Sequence, residues 1–232
     1  MKFVILTLFP EAFESYFSIS LVKRGLEKKF IDIKVVNLRD YADEPSKKVD
    51  DRPYGGGAGM VLRVDIIDRA LKGMKVKKGS KDKLIVLMTP QGKKFDQALV
   101  TKLAKYKTIY MICGRYEGFD ERVRSLVDME ISIGDFVLTG GELPAMTIVD
   151  AVSRMIPGFL GKSESLHEES FTSGLLEYPH YTRPEVYKKQ RVPKILLSGD
   201  HAKVKAWREE EARKRTAKRR PDLIEKSKGD QK

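Results

Sequence analysis

The sequence is poor in cysteine, histidine and tryptophan, and it has no long apolar run. Its one cysteine, Cys113, excludes an intramolecular disulfide. Cys113 closes the apolar run Thr108–Cys113, so it reads as a buried structural thiol rather than a nucleophile. The three histidines, His167, His180 and His201, are scattered and lack ligand spacing, which argues against zinc. No segment approaches the roughly 20 apolar residues that a membrane-spanning helix needs. The opening run Phe3–Phe9 is too short for a signal core plus a cleavage site and reads as a first buried strand. The expected location is therefore cytoplasmic, with no membrane partner.

The usual nucleotide fingerprints are also missing. After Gly55 and Gly57 the last glycine of GxGxxG falls on Met60, and after Gly57 and Gly59 it falls on Leu62. Gly161-Lys162-Ser163 resembles the end of a phosphate loop, but the earlier glycine it requires falls on Ile156. No GxSxG elbow is present.

Charge is present and unevenly spread. The 232 residues carry a formal net charge of +12. Residues 183–232 hold 17 Lys and Arg against 8 Asp and Glu, whereas residues 1–182 hold 28 against 25. A nearly neutral first part and a strongly basic tail point to a polyanionic partner. The alternative is a solvated lysine-rich surface.

Short apolar runs at Phe3–Phe9, Ile31–Asn37, Lys83–Met88, Thr108–Cys113 and Met129–Ile133 predict strands. Helical patterns fill Pro10–Lys28, Val64–Gly73, Phe95–Lys105, Phe119–Val127 and Glu142–Ile156. Strands without polar alternation, separated by amphipathic helices, predict an α/β domain with a mostly parallel sheet. Ligands then bind beyond the carboxyl ends of the strands. Four glycine-rich loops stand there, at 50–59, 89–92, 114–118 and 133–141. Residues 158–182 lack periodicity and read as a linker. Short helices are expected at Pro184–Lys189 and Gly199–Arg215, with Asp200 as an N-cap.

The longest runs are VDDRPYGGGAGM at 49–60, CGRYEG at 113–118, SIGDFVL at 132–138, GGELPAM at 140–146 and PHYTRP at 179–184. Together they resemble the bacterial tRNA (guanine-N1)-methyltransferase family of the SPOUT superfamily, and the likeness covers nearly the whole chain. The resemblance implies a parallel-sheet domain with a deep trefoil knot, followed by a small all-helical domain. The expected boundaries are 1–160 for the knotted domain, 161–182 for the linker and 183–232 for a basic tRNA-binding domain. It also implies methyl transfer from S-adenosyl-L-methionine to the guanosine immediately 3′ to the anticodon, by a homodimer with shared active sites.

By the same resemblance the donor is held by Pro90, Gln91, Gly92, Gly114, Tyr116, Glu117, Ile133, Gly134, Asp135, Phe136, Val137, Leu138, Gly140, Gly141 and Pro144. Glu169 matches the family's general-base aspartate, with Glu168 as its neighbouring competitor. Arg154 is the expected arginine for charge on guanine O6. Asp50, Arg52, Gly55, Gly56, Gly57 and Gly59 are expected to receive the guanine, helped by Ser165, His180, Tyr181 and Arg183. Lys188, Lys189, Arg191, Lys203, Arg208, Arg213, Arg215, Arg219 and Arg220 are candidates for phosphates of the anticodon arm. Magnesium is a family expectation, with no ligand cluster in the sequence to hold it. The competing readings are a SPOUT methyltransferase for another base or RNA, a catalytically silent RNA-binding protein, and a membrane-surface protein.

Overall fold

Apolar side chains on both faces of a strand need cover on both sides, and the chain supplies helices for each face. The computed structural model describes residues 1–43, 45–161 and 169–229. The chain divides into two compact units, 1–161 and 162–232.

The first unit runs β1 (Lys2–Thr7), a 3-10 turn at Pro10–Phe13, α1 (Glu14–Phe17), α2 (Ser20–Glu27), β2 (Asp32–Asn37), β3 (Asp50–Asp51) and β4 (Val61–Leu62). It continues through α3 (Val64–Gly73), β5 (Lys83–Lys94), α4 (Gln97–Leu103), β6 (Thr108–Cys113), a 3-10 helix at Glu121–Leu126, β7 (Met129–Ser132) and α5 (Glu142–Ser153). Five strands form one sheet in the order β2-β1-β6-β5-β7, and every neighbouring pair is parallel. Alternate residues feed two separate cores. Phe3, Ile5, Ile109, Met111 and Cys113 join one with α4 and α5, while Val4, Leu6, Tyr110 and Ile112 join the other with α3. This is the expected α/β architecture.

Several boundaries differ from expectation for local reasons. The helix predicted over Pro10–Lys28 is broken between Phe17 and Ser20. There the Ser18 hydroxyl donates to the Ser15 carbonyl at 3.0 Å and Ile19 is extended. Serine side chains compete for helical backbone groups, and a β-branched residue is content in extended chain. The helix expected at Phe119–Val127 is a 3-10 helix over Glu121–Leu126, capped by the Asp120 carboxylate on the Arg122 N–H. Strand β5 runs past Met88, because Lys93 and Lys94 return to pair with Ile131 and Ser132 of β7. The four residues between, Thr89 to Gly92, step out of that ladder.

The second unit contains a two-stranded antiparallel hairpin, β8 (Val186–Tyr187) with β9 (Gln190–Arg191), then α6 (His201–Arg219) and α7 (Pro221–Gly229). The short helix expected at Pro184–Lys189 is thus a hairpin. Val186 and Tyr187 favour extended chain, and the turn follows too soon for a helical nucleus. Asp200 caps α6 by accepting from the Lys203 N–H at 3.1 Å. Residues 169–182 lack regular structure but are held to α6. The Leu176 N–H donates to Thr216 Oγ1 at 2.8 Å and Arg215 donates to the Glu177 carbonyl at 3.3 Å. Arg208 lies over the Tyr178 ring at 4.7 Å, and Tyr181 packs near Trp207 with ring centroids 6.5 Å apart.

Candidate active site

Parallel strands run the same way, so the irregular stretch within β5 and the loops leaving β6 and β7 meet at one edge of the sheet. They enclose a cavity of about 410 Å³. Its floor is Leu87, Met88 and Ile131, and its walls are the loops 89–91, 114–121 and 132–141, closed by Pro144 in the first turn of α5. Every expected donor residue lines it except Gly92 and Asp135. Asp135 points outward, its side chain 92% exposed and 3.6 Å from the Lys94 ammonium. Gly92 serves the wall from behind. A Cβ there would stand 2.4 Å from the Ile131 amide nitrogen.

A second backbone-on-backbone crossing closes the other side of the pocket. A Cβ on Gly141 would lie 2.6 Å from Cys113 Cα and 2.8 Å from the Gly114 nitrogen. The Gly141 N–H donates to the Gly114 carbonyl at 3.0 Å, tying the entry of α5 to the end of β6. Tyr116 turns through the left-handed region at φ 59°, and the Glu117 N–H then donates to the Met60 carbonyl at 3.0 Å. That bond brings the 50–59 loop beside the pocket. Gly59 packs against Glu117, where a Cβ would meet the glutamate Cγ at 2.5 Å. Gly55, Gly56 and Gly57 have positive φ and open space around them, and Tyr54 next to them is fully exposed.

The pocket also holds residues that sequence reasoning missed. Arg115 stacks 4.4 Å over the Phe9 ring and donates to the Thr139 carbonyl at 3.3 Å. It also pairs with the Glu142 carboxylate at 3.2 Å. Glu142 is 4% exposed and accepts from the Thr7 hydroxyl at 2.7 Å. The pair crosses Gly140, where a Cβ would come within 2.4 Å of both Arg115 Nε and Glu142 Oε2. So the carboxyl ends of β1 and β6 and the start of α5 share one polar tie under the pocket. Its only sequence signal was adjacency, since Arg115 sits inside the 113–118 run and Glu142 inside the 140–146 run. Arg124 had none. It reaches back to hold Gln91 Oε1 at 2.5 Å and also pairs with Glu121 and Glu130. Beneath, Cys113 is fully buried, and burial pushes its thiol pKa well up, so it stays a protonated structural group as expected.

The family model for tRNA (Guanine-1)-methyltransferase TrmD matches residues 1–226. The chain belongs to that family. Among curated relatives, the tRNA (guanine-N(1)-)-methyltransferase of Bacillus pumilus is 53% identical over 98% of this chain and 93% of its own length. Those of Syntrophomonas wolfei and Dictyoglomus turgidum are 51% and 48% identical, over 97% and 98% of this chain and 90% and 91% of their own lengths. The SPOUT class of this family agrees with the parallel sheet and the helical C-terminal region.

The remaining expected residues are dispersed. Asp50 sits in β3 opposite Leu62 of β4, and Arg52 is exposed just beyond it. Asp51 between them holds a lowered pKa through hydrogen bonds from Lys48 and the Arg52 amide. Arg154 caps the C-terminus of α5, whereas the pocket touches that helix at its N-terminus. Over twelve residues at 1.5 Å rise, this separation is about 18 Å. Glu169 lies in a turn of the second unit, where its carbonyl accepts from the Thr172 N–H at 3.4 Å. In the same unit His180 is bonded to Glu177 at 2.6 Å, Tyr181 packs near Trp207, and Arg183 is exposed. Ser165 and Glu168 lie outside the described residues. No cluster of potential metal ligands exists among the described residues, and no helix there is long and apolar enough to cross a membrane.

Proposed function

We propose that this protein transfers a methyl group from S-adenosyl-L-methionine to N1 of the guanosine immediately 3′ to the anticodon of tRNA. The cavity at the ends of β5, β6 and β7 carries the reading, because the expected donor loops converge there. Its chemistry fits the donor. Glycine backbone at 114, 134, 140 and 141 allows close approach, Phe136, Val137 and Leu138 give apolar cover, and Glu117 and Glu121 offset a cationic sulfonium. When bound, S-adenosylmethionine supplies an electrophilic methyl group for an in-line displacement.

The protein's own residues must make guanine N1 nucleophilic, since N1 carries a proton at neutral pH. Glu169 takes that proton, and Arg154 stabilises the charge that builds on O6. The 50–59 loop receives the base. Asp50 accepts from the guanine N2 amino group, which adenine lacks. Arg154 stands too far along α5 to serve the pocket at that helix's own N-terminus, so it serves the pocket of a second copy. The reading is therefore of a homodimer, which the exposed apolar rim of Phe136, Val137 and Leu143 supports. The glycine crossings at 92 and 141 support a trefoil knot, in which one backbone segment passes closely through another. The basic C-terminal unit holds the anticodon arm by its phosphates.

A labelled-methyl assay on unmodified tRNA transcripts tests this, with guanosine or adenosine placed 3′ to the anticodon. Methylation of the guanosine transcript alone is expected, and equal methylation of both overturns the assignment. Glu169→Gln is expected to lower turnover roughly 10²- to 10⁴-fold while donor affinity by calorimetry is unchanged. Near-normal turnover in Glu169→Gln together with loss in Glu168→Gln moves the base to Glu168.

A further inference from the structure

The hairpin of β8 and β9 projects into solvent, since every residue from Tyr181 to Arg191 is exposed. Its two-residue turn is Lys188-Lys189, between the paired residues Tyr187 and Gln190. Both lysines lie in the left-handed region, Lys188 at φ 46° and Lys189 at φ 68°. A turn with two positive φ values is the hairpin type that favours Asn-Gly, because any other L-residue there pushes Cβ toward a carbonyl oxygen. Two adjacent lysines are a poor choice for such a turn on conformational grounds, and their like charges repel.

The neighbours explain the choice. Tyr187 is 60% exposed and Val186 is 43% exposed, so the hairpin presents an aromatic ring and an aliphatic side chain to solvent. The Lys188 ammonium stands 5.4 Å from the Tyr187 ring centroid. Arg191 pairs across from Val186 and is exposed as well. An exposed aromatic ring flanked by cations on a projecting tip is the arrangement that stacks an unpaired base and holds the phosphates on either side of it. Backbone strain retained at an exposed tip is explained by what the tip holds.

We propose that the 186–191 hairpin is a stacking site for an unpaired base of the substrate RNA. Tyr187 is the platform, and Lys188, Lys189 and Arg191 are the phosphate contacts. The strained turn is kept because it sets the Lys188 ammonium against one face of the ring while the ring itself stays largely exposed. This rests on the reading of the protein as a tRNA methyltransferase. It goes beyond that reading by assigning base recognition, and not only charge, to this unit.

The test uses the full-length protein, an unmodified tRNA transcript and three variants. Direct tRNA binding, methylation kinetics, donor affinity and thermal midpoint are measured on each. Tyr187→Phe keeps the ring and is expected to match the parent. Tyr187→Ala is expected to weaken tRNA binding and raise KM for tRNA about ten-fold, with kcat, donor affinity and thermal midpoint unchanged. The double change Lys188→Asn, Lys189→Gly relieves the turn. It is expected to raise the thermal midpoint by about 3 °C while weakening tRNA binding and reducing its log–log salt slope by about one to two. Stability and RNA affinity thus move in opposite directions. Unchanged tRNA binding in Tyr187→Ala overturns the proposal. So does a loss in that variant that follows a drop in thermal midpoint or donor affinity. If the parent binds tRNA but transfers no methyl group, the activity reading fails, and the binding arm still decides the hairpin.

Discussion

Two kinds of glycine-rich loop meet at this site, and their glycines do opposite work. In the loops around the cavity, Gly92, Gly140 and Gly141 are there because something else occupies the space of a side chain. A backbone or a buried ion pair stands within 2.6 Å of each missing Cβ. In the 50–59 loop, Gly55, Gly56 and Gly57 have nothing nearer than 4.0 Å, and what they need is a positive φ. The first set builds a fixed cavity whose walls lean on one another. The second builds an open loop held at its base by bonds that include the β3–β4 pairing and the Glu117–Met60 bond. A preformed pocket suits a small donor that binds the same way each time. An open loop suits a base that must leave its stack before it is read.

The largest effect is expected from Gly141→Ala. Its methyl would overlap Cys113 Cα and the Gly114 nitrogen, and neither can move without shifting β6. Donor affinity by calorimetry should fall more than about 100-fold, or the thermal midpoint should collapse, since overpacking against backbone costs about 1–3 kcal/mol or more. Near-normal donor binding in this variant would erase the distinction between the two kinds of loop.

Glu142→Gln should come next. It keeps an acceptor for the Thr7 hydroxyl but removes the charge that holds Arg115 beneath the Thr139–Gly141 wall. Arg115 is partly exposed, so the expected loss is on the order of 1–2 kcal/mol after screening. It should appear as weaker donor affinity with KM for tRNA little changed.

Gly56→Ala should have the smallest effect. It strains one left-handed residue at a cost of roughly 1 kcal/mol. KM for tRNA should rise several-fold, with donor affinity the same as in the parent. A change in donor affinity instead would show that the 50–59 loop is part of the donor pocket.

Much of the first unit was legible in the sequence, for a definite reason. Strands β1 and β6 are short apolar runs covered on both faces, the edge strands β2 and β7 keep enough apolar residues to show, and α3 has its predicted bounds at Val64 and Gly73. Here local pattern and tertiary burial agree. The misses fall where they conflict. The helical pattern of Pro10–Lys28 breaks at Ser18–Ser20, and β5 continues through a proline and a glycine because β7 takes it up again. Pro184–Lys189 is too short for a helix and closes as a hairpin instead. Within the site, the glycine loops were readable because glycine is a local signal. The Thr7–Glu142–Arg115 tie was not, because its members lie 135 residues apart at the widest.

The sequence by itself determined the α/β class, the glycine-rich loops at the strand ends, the single buried thiol and the basic tail. Each rests on composition or short-range pattern, which hydrophobic periodicity and backbone freedom make local. Only the tertiary structure decided that Gly141 must be bare because β6 passes beneath it, that Arg124 holds Gln91, and that Arg154 stands at the far end of α5 from the pocket. Those facts depend on which distant segments the parallel sheet brings into register, and no local pattern carries that information.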